Sequence, residues 1–261
     1  MNRQLELIDS FLAEGRQEFS FDDARASLGR SPSGTANALR QLGEKGLVDR
    51  LSQGRYAIRP LGSLGTSAVT DDLPLAVGAV FQGHAHRIAY RSALSELGLL
   101  SHPVRTVFVA ATRQVRIAAV SQRPLRVVIE RPATIHIEAE RVGRSWRSTL
   151  ERALFECALR VDLAGGPQRL AEALAASAAE ADPIRVGRLA NAFGARGLAA
   201  ERRLASLSRA LSLPFHIEPT LKRRHPIILL DRHDNHVEWV DETFRVAWNT
   251  TVDELQAVID A

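Results

Sequence analysis

A single cysteine, Cys157, in a chain of 261 residues excludes an intrachain disulfide and any cysteine-based zinc cluster. It lies within the apolar helical stretch 150–159 and reads as core, with a nucleophilic role the weaker alternative. Lysine is almost as scarce, since Lys45 and Lys222 are the only two among 34 basic residues. Chemistry that needs a lysine beside acidic metal ligands therefore has few places to sit. No apolar run approaches bilayer length, and neither a glycine-rich phosphate loop nor a serine-nucleophile motif is present. The opening residues Met1-Asn2-Arg3-Gln4 lead into an amphipathic pattern carrying Glu6, Asp9 and Glu14 rather than the apolar core of a secretory signal. The expected location is the cytoplasm, with no membrane partner, no metal and no cofactor.

What the chain does contain is a globular balance, 45% hydrophobic and 25% charged, at a length that suits two domains. The net charge of +4 is unevenly spread. Residues 1–24 carry two basic against six acidic side chains, whereas residues 25–59 carry seven basic against two acidic, Glu44 and Asp49. The sign reverses where the local pattern changes.

Leu5, Ile8, Phe11 and Leu12 recur at helical spacing before Gly15, so residues 3–14 are expected to form a helix. Ser20-Phe21-Asp22-Asp23 fits a capping box opening a second helix, which Gly29 stops. Ser31-Pro32 restarts the chain as N-cap and first helical residue of a third helix running to about Lys45. Thr35, Ala38, Leu39 and Leu42 share its inner face, opposite Ser33, Asn37, Arg40, Gln41 and Glu44. Two short alternating runs, 47–51 and 55–58, flank Ser52-Gln53-Gly54 as a hairpin.

Three helices followed by a basic hairpin spell a winged helix-turn-helix over residues 1–60. On that reading the third helix enters the major groove. Asn37 suits adenine, Arg40 forks onto guanine, and Ser31, Ser33 and Gln41 lie on or beside the same face. Arg30, Lys45, Arg50 and Arg55, with Gln53 at the hairpin tip, would hold phosphates. The alternative is a protein-interaction module with a solvated third helix; the charge reversal favours double-stranded DNA.

Residues 61–74 read as a linker, and 75–261 as a larger mixed α/β domain, so the fold class expected is α+β. Its strands are expected at 106–110, 115–119, 125–129 and 134–138, followed by helices at 149–160, from Pro167, from Pro183 and at 199–211. Further strands at 227–230 and 236–240 and a helix at 252–260 would close the chain. Residues 84–131 hold eight arginines against Glu96 and Glu130. Arg105, Arg113, Arg116, Arg123 and Arg126 among them form either a second nucleic-acid surface or a solvated sheet face.

The segments Tyr90-Arg91-Ser92-Ala93-Leu94-Ser95-Glu96-Leu97-Gly98-Leu99 and Val107-Phe108-Val109-Ala110-Ala111-Thr112-Arg113 resemble the stretch that follows the winged helix in the bacterial AbiEi antitoxin family. Thr149-Leu150-Glu151-Arg152-Ala153-Leu154 with Ala164-Gly165-Gly166, and then Arg202-Arg203-Leu204, are similar to its later blocks in the same order. Ser148 and Cys157 stand in regions where the family usually carries acidic residues. The resemblance implies a non-enzymatic transcriptional repressor that binds inverted repeats in its own promoter and serves as antitoxin to a nucleotidyltransferase-type toxin of a type IV toxin-antitoxin system.

A metal-dependent nuclease targeted by a winged helix is the rival. Glu138 and Glu140 alternate as metal ligands would on a strand, yet the next lysine is Lys222. Adjacent Asp71 and Asp72 point to opposite faces of any strand, which rules against a nucleotidyltransferase pair. Asp231, His233, Asp234, His236 and Glu238 look metal-like but fit polar turns better.

Overall fold

The computed structural model describes residues 3–59, 72–121, 123–219, 221 and 225–260. The chain is mixed α+β and divides into two compact units. The first comprises Met1–Gly83, Val115–Leu125 and Gly143–Ser145, and so takes in more than the 1–60 segment expected to stand alone. The second comprises His84–Gln114, Arg126–Val142 and Trp146–Ala261. Most of the expected linker lies outside the described residues; its last two residues belong instead to a helix.

In the first unit the order is α1 (Arg3–Ala13), β1 (Glu18–Ser20), α2 (Phe21–Leu28), α3 (Pro32–Glu44), β2 (Val48–Ser52) and β3 (Arg55–Ile58). Their core gathers Leu7, Ile8, Phe11, Phe19, Ala24, Leu28, Leu39, Leu42, Val48 and Ile58. The inner stripe of α1 is Gln4, Leu7, Ile8 and Phe11, and both Leu5 and Leu12, expected inside, are exposed. Ile8 and Phe11 belong to both stripes, and helical spacing alone accepts Leu5 and Leu12 beside them as readily as Gln4 and Leu7.

Ser20 caps α2 with a reciprocal capping box to Asp23, and Gly29 ends the helix in the left-handed region at φ 60°. Ser31 then caps α3, its hydroxyl accepting from the Gly34 amide at 3.2 Å, with Pro32 in the first turn. β1 was not legible in the sequence, being only three residues long; it pairs antiparallel with β3, giving the order β1–β3–β2. α4 (Leu73–Val80), capped by Asp72, and the short β6 (Ala119–Val120) complete this unit. β6 turns back antiparallel onto β7 (Arg123–Ile129), pairing Val120 with Arg123.

The second unit holds a mixed sheet ordered β7–β5–β4–β9–β8, with β4 (His86–Ile88) antiparallel to β5 (Val107–Ala111) and parallel to β9 (Ser145–Ser148). β8 is Ala139–Val142. The strand expected at 134–138 is a turn, in which Ile135 is buried and Glu138 adopts φ 51°. The strand expected at 115–119 shrinks to β6.

The helices are α5 (Tyr90–Glu96), α6 (Leu150–Leu159), α7 (Val161–Ala164), α8 (Pro167–Ser177), α9 (Pro183–Phe193), α10 (Ala195–Ala210) and α11 (Val252–Ile259). A small sheet ordered β10–β12–β11 is formed by Ile228–Leu229, Val246–Trp248 and Trp239–Asp241. Residues 151–158 of α6 are all buried, so this helix is the hub of the unit's core. Cys157 is fully buried there, and desolvation pushes its thiol well above the ordinary range.

That hub also buries charge. Arg87 of β4 donates to Glu156 at 2.7 Å, to Glu130 at 3.0 Å and to the Ser148 hydroxyl at 2.8 Å. Arg152 reaches Glu130 at 2.6 Å. Glu156 also accepts from the backbone amide of Tyr90, a residue held at φ 53°. Each buried charge thus has an opposite partner, the condition under which burial is tolerated. Arg87 is one of the eight arginines between residues 84 and 131, yet its side chain is entirely buried.

Candidate nucleic-acid interface

The outward face of α3 follows from its inner one. Thr35, Ala38, Leu39 and Leu42 are buried, which at 3.6 residues per turn turns Ser33, Asn37, Arg40 and Glu44 into solvent. Arg40 stands between two partners, donating to Asn37 Oδ1 at 2.9 Å and to the Glu44 carboxylate. Ser33 lies 3.2 Å from the capping Ser31 hydroxyl, so both side chains sit at the open N-terminus of α3. Gln41 differs from these. It is half-buried and accepts from Gln4 of α1 at 2.6 Å, which binds it into the fold.

The remaining cations ring this face. Arg30 precedes the cap, Lys45 ends α3, and both are exposed. Arg50 is exposed on β2, with its Nε 3.4 Å from the Ser52 carbonyl, and Gln53 is exposed at the turn. Arg55 is half-buried on β3, paired across the sheet with Ser20 on one side and Ser52 on the other. Glu18 lies close enough to feel Arg55 and Arg144, but burial outweighs both and raises its carboxyl above the ordinary range. Arg59, counted in the basic segment, is buried against Asp49 at 2.7 Å and contributes nothing outward. Among the described residues, Arg25, Arg30, Lys45 and Arg50 form no ion pair.

Two more arginines join this unit from far along the chain. The amide of Ser121 donates to the Leu51 carbonyl at 2.8 Å, fastening segment 115–125 to the hairpin. Exposed Arg116 and half-buried Arg123 come with it, although charge counting grouped them with Arg105, Arg113 and Arg126. The other three of that set, Arg105, Arg113 and Arg126, are exposed and belong to the second unit. There Arg113 bonds His84, and Arg126 lies 6.0 Å from the Phe108 ring. No local signal in the sequence could have divided the five.

The acidic candidates have structural partners. Glu138 accepts from Arg185, and Glu140 accepts from Arg147 at 2.6 Å. Asp231 and Asp234 each accept a backbone amide two residues on, from His233 and His236, both at 2.9 Å, as turn-forming aspartates do. His236 bonds Glu238 at 2.6 Å, and no group of three or more metal-ligating side chains is assembled among the described residues. Nor is any helix long and apolar enough to cross a membrane among them.

No family model matches the sequence, and no curated protein matches it. Among solved structures, the RV2827C protein from Mycobacterium tuberculosis is similar over 100% of this chain and 96% of its own, with a TM-score of 0.67 at 20% identity. The overall fold is therefore one that a solved mycobacterial protein also adopts.

Proposed function

We propose that this protein is a sequence-specific DNA-binding transcriptional repressor, acting in the cytoplasm without catalysis. Its first sixty residues are read as a winged helix-turn-helix, with α3 as reading helix and the β2/β3 hairpin as wing. The observation that carries this is the exposed Ser33–Asn37–Arg40 face, ringed by Arg30, Lys45, Arg50 and Gln53. An amide beside a guanidinium on an open helix face supplies the two side-chain types that pair bidentately with adenine and guanine. Cations at the helix ends and hairpin suit the flanking phosphates. The ordered resemblance to the AbiEi family extends the reading to an autoregulating antitoxin, acting at inverted repeats in its own promoter and opposing a nucleotidyltransferase-type toxin.

Two features speak against the nuclease alternative. Its candidate ligands Glu138 and Glu140 are occupied by Arg185 and Arg147, and no lysine stands within reach in sequence to stabilise a developing phosphate charge. The test is a gel-shift titration of the purified protein against DNA upstream of its own gene, with coding DNA as competitor and magnesium present. A competitor-resistant band with intact DNA is expected. Failure to shift any DNA would reduce the α3 face to a protein-interaction surface, and cleavage would restore the nuclease.

A further inference from the structure

Beside the polar face of α3 lies an open trough of about 660 Å³, bounded by α3 and the β2/β3 hairpin. Phe21, Leu39 and Tyr56 line its apolar part, Ala36 stands exposed on its α3 wall, and Arg40 and Arg50 belong to the same lining. Ala36 carries no polar group and so has no hydrogen-bonding role on this side of α3. The trough combines a mostly carbon surface with two guanidiniums. It matches a nucleotide well: an apolar group for the wall, a base edge for Arg40 and a phosphate for Arg50.

We propose that this trough reads the 5-methyl group of a pyrimidine in the major groove, making Ala36 a specificity-determining residue. The inference rests on the DNA-binding reading above. Thymine is distinguished in the major groove by its C5 methyl, and small apolar side chains are what recognise it. Ala36 and Arg40 are one helical turn apart, with Cβ atoms about 5–6 Å from each other. Base pairs rise about 3.4 Å per step, so the methyl belongs to a thymine within one or two steps of the base Arg40 contacts. Arg40 thus links the polar code of the helix to the apolar one.

The experiment uses the full chain and the duplex that it enriches from a randomised pool. Each thymine is replaced in turn by deoxyuridine, which removes only the methyl. Replacement at one position next to the Arg40 contact is expected to weaken binding about three- to fivefold, the worth of one buried methyl group. A 5-bromouracil, similar in size to thymine, restores it. Ala36→Gln, which fills the trough from an exposed helical position, is expected to bind the thymine and uracil duplexes equally while melting like the parent protein. Specific binding that is unaffected by uracil at every position would overturn the methyl-reading role and leave the DNA-binding reading standing. Loss of the reading itself would be visible earlier, as failure to enrich any duplex.

Discussion

Arg40 donates through Nη2 to Asn37 Oδ1 at 2.9 Å, so the two side chains proposed to read bases are already joined in the free protein. The same guanidinium is held from the other side by Glu44, one turn further along. On the proposed reading, Arg40 has to leave a carboxylate to fork onto guanine. All three side chains are exposed, so the exchange is between solvated pairs and costs little.

Removing the anion should make this visible. Glu44→Gln is expected to tighten binding to specific and random duplexes alike, because it deletes a negative charge from the surface proposed to face phosphates. Arg40→Ala should instead weaken the specific complex by about 1–3 kcal/mol and relax the preference at one base. Fluorescence anisotropy with both duplex types separates the two effects. An Arg40→Ala protein with unchanged preference would exclude Arg40 as a reader.

The hairpin supplies the second prediction. Arg50→Ala combined with Arg55→Ala should weaken binding to every sequence and flatten the dependence of log K on log salt by about one to two units of slope. An unaltered slope would take the hairpin out of the interface.

In the second unit, Arg87 compensates both Glu130 and Glu156. Arg87→Met should destabilise the fold by about 3–5 kcal/mol, because it leaves buried carboxylates with one cation fewer. Chemical denaturation checks this, and a loss under 1 kcal/mol would mean that the network relaxes around the gap.

Acid should attack the same cluster. Burial by itself would raise the Glu130 carboxyl, but the guanidiniums of Arg87 and Arg152 pull it below the ordinary range. A carboxylate depressed on folding stabilises the native state above its unfolded pKa, about 4.3 for glutamate, and loses that contribution as pH falls through the folded value. Melting temperatures should drop in that acid window, and Glu130→Gln should be less stable at neutral pH with a shallower acid decline. An identical decline in the variant would assign the lability to other carboxylates.

Cys157 offers a simple check of the core around α6. Completely buried, with its thiol pushed upward, it should resist an aromatic disulfide reagent in the native protein and react fully in denaturant. Rapid native labelling would contradict the packing of α6.

What the sequence made legible were features written in local chemistry. The Ser20 capping box and the Ser31 cap satisfy free helix-end amides, the prolines at 32, 167 and 183 remove one from a first turn, and each stands where expected. What was lost depends on distant contacts. β1 exists because β3 pairs with it, segment 115–125 because it meets the hairpin, and Arg87 counts as core only because Glu156 lies 69 residues away. The outward side chains of α3 were readable from its apolar stripe, whereas the commitment of Gln41 to Gln4 needed α1 in place.

The most direct test of the central claim is selection of bound duplexes from a randomised pool by the purified full-length chain, followed by sequencing. The account predicts enrichment of one motif in which substituting Asn37 or Arg40 changes the preference at individual base positions. Recovery of the pool without enrichment, at salt concentrations where ionic contacts alone no longer hold DNA, would contradict it.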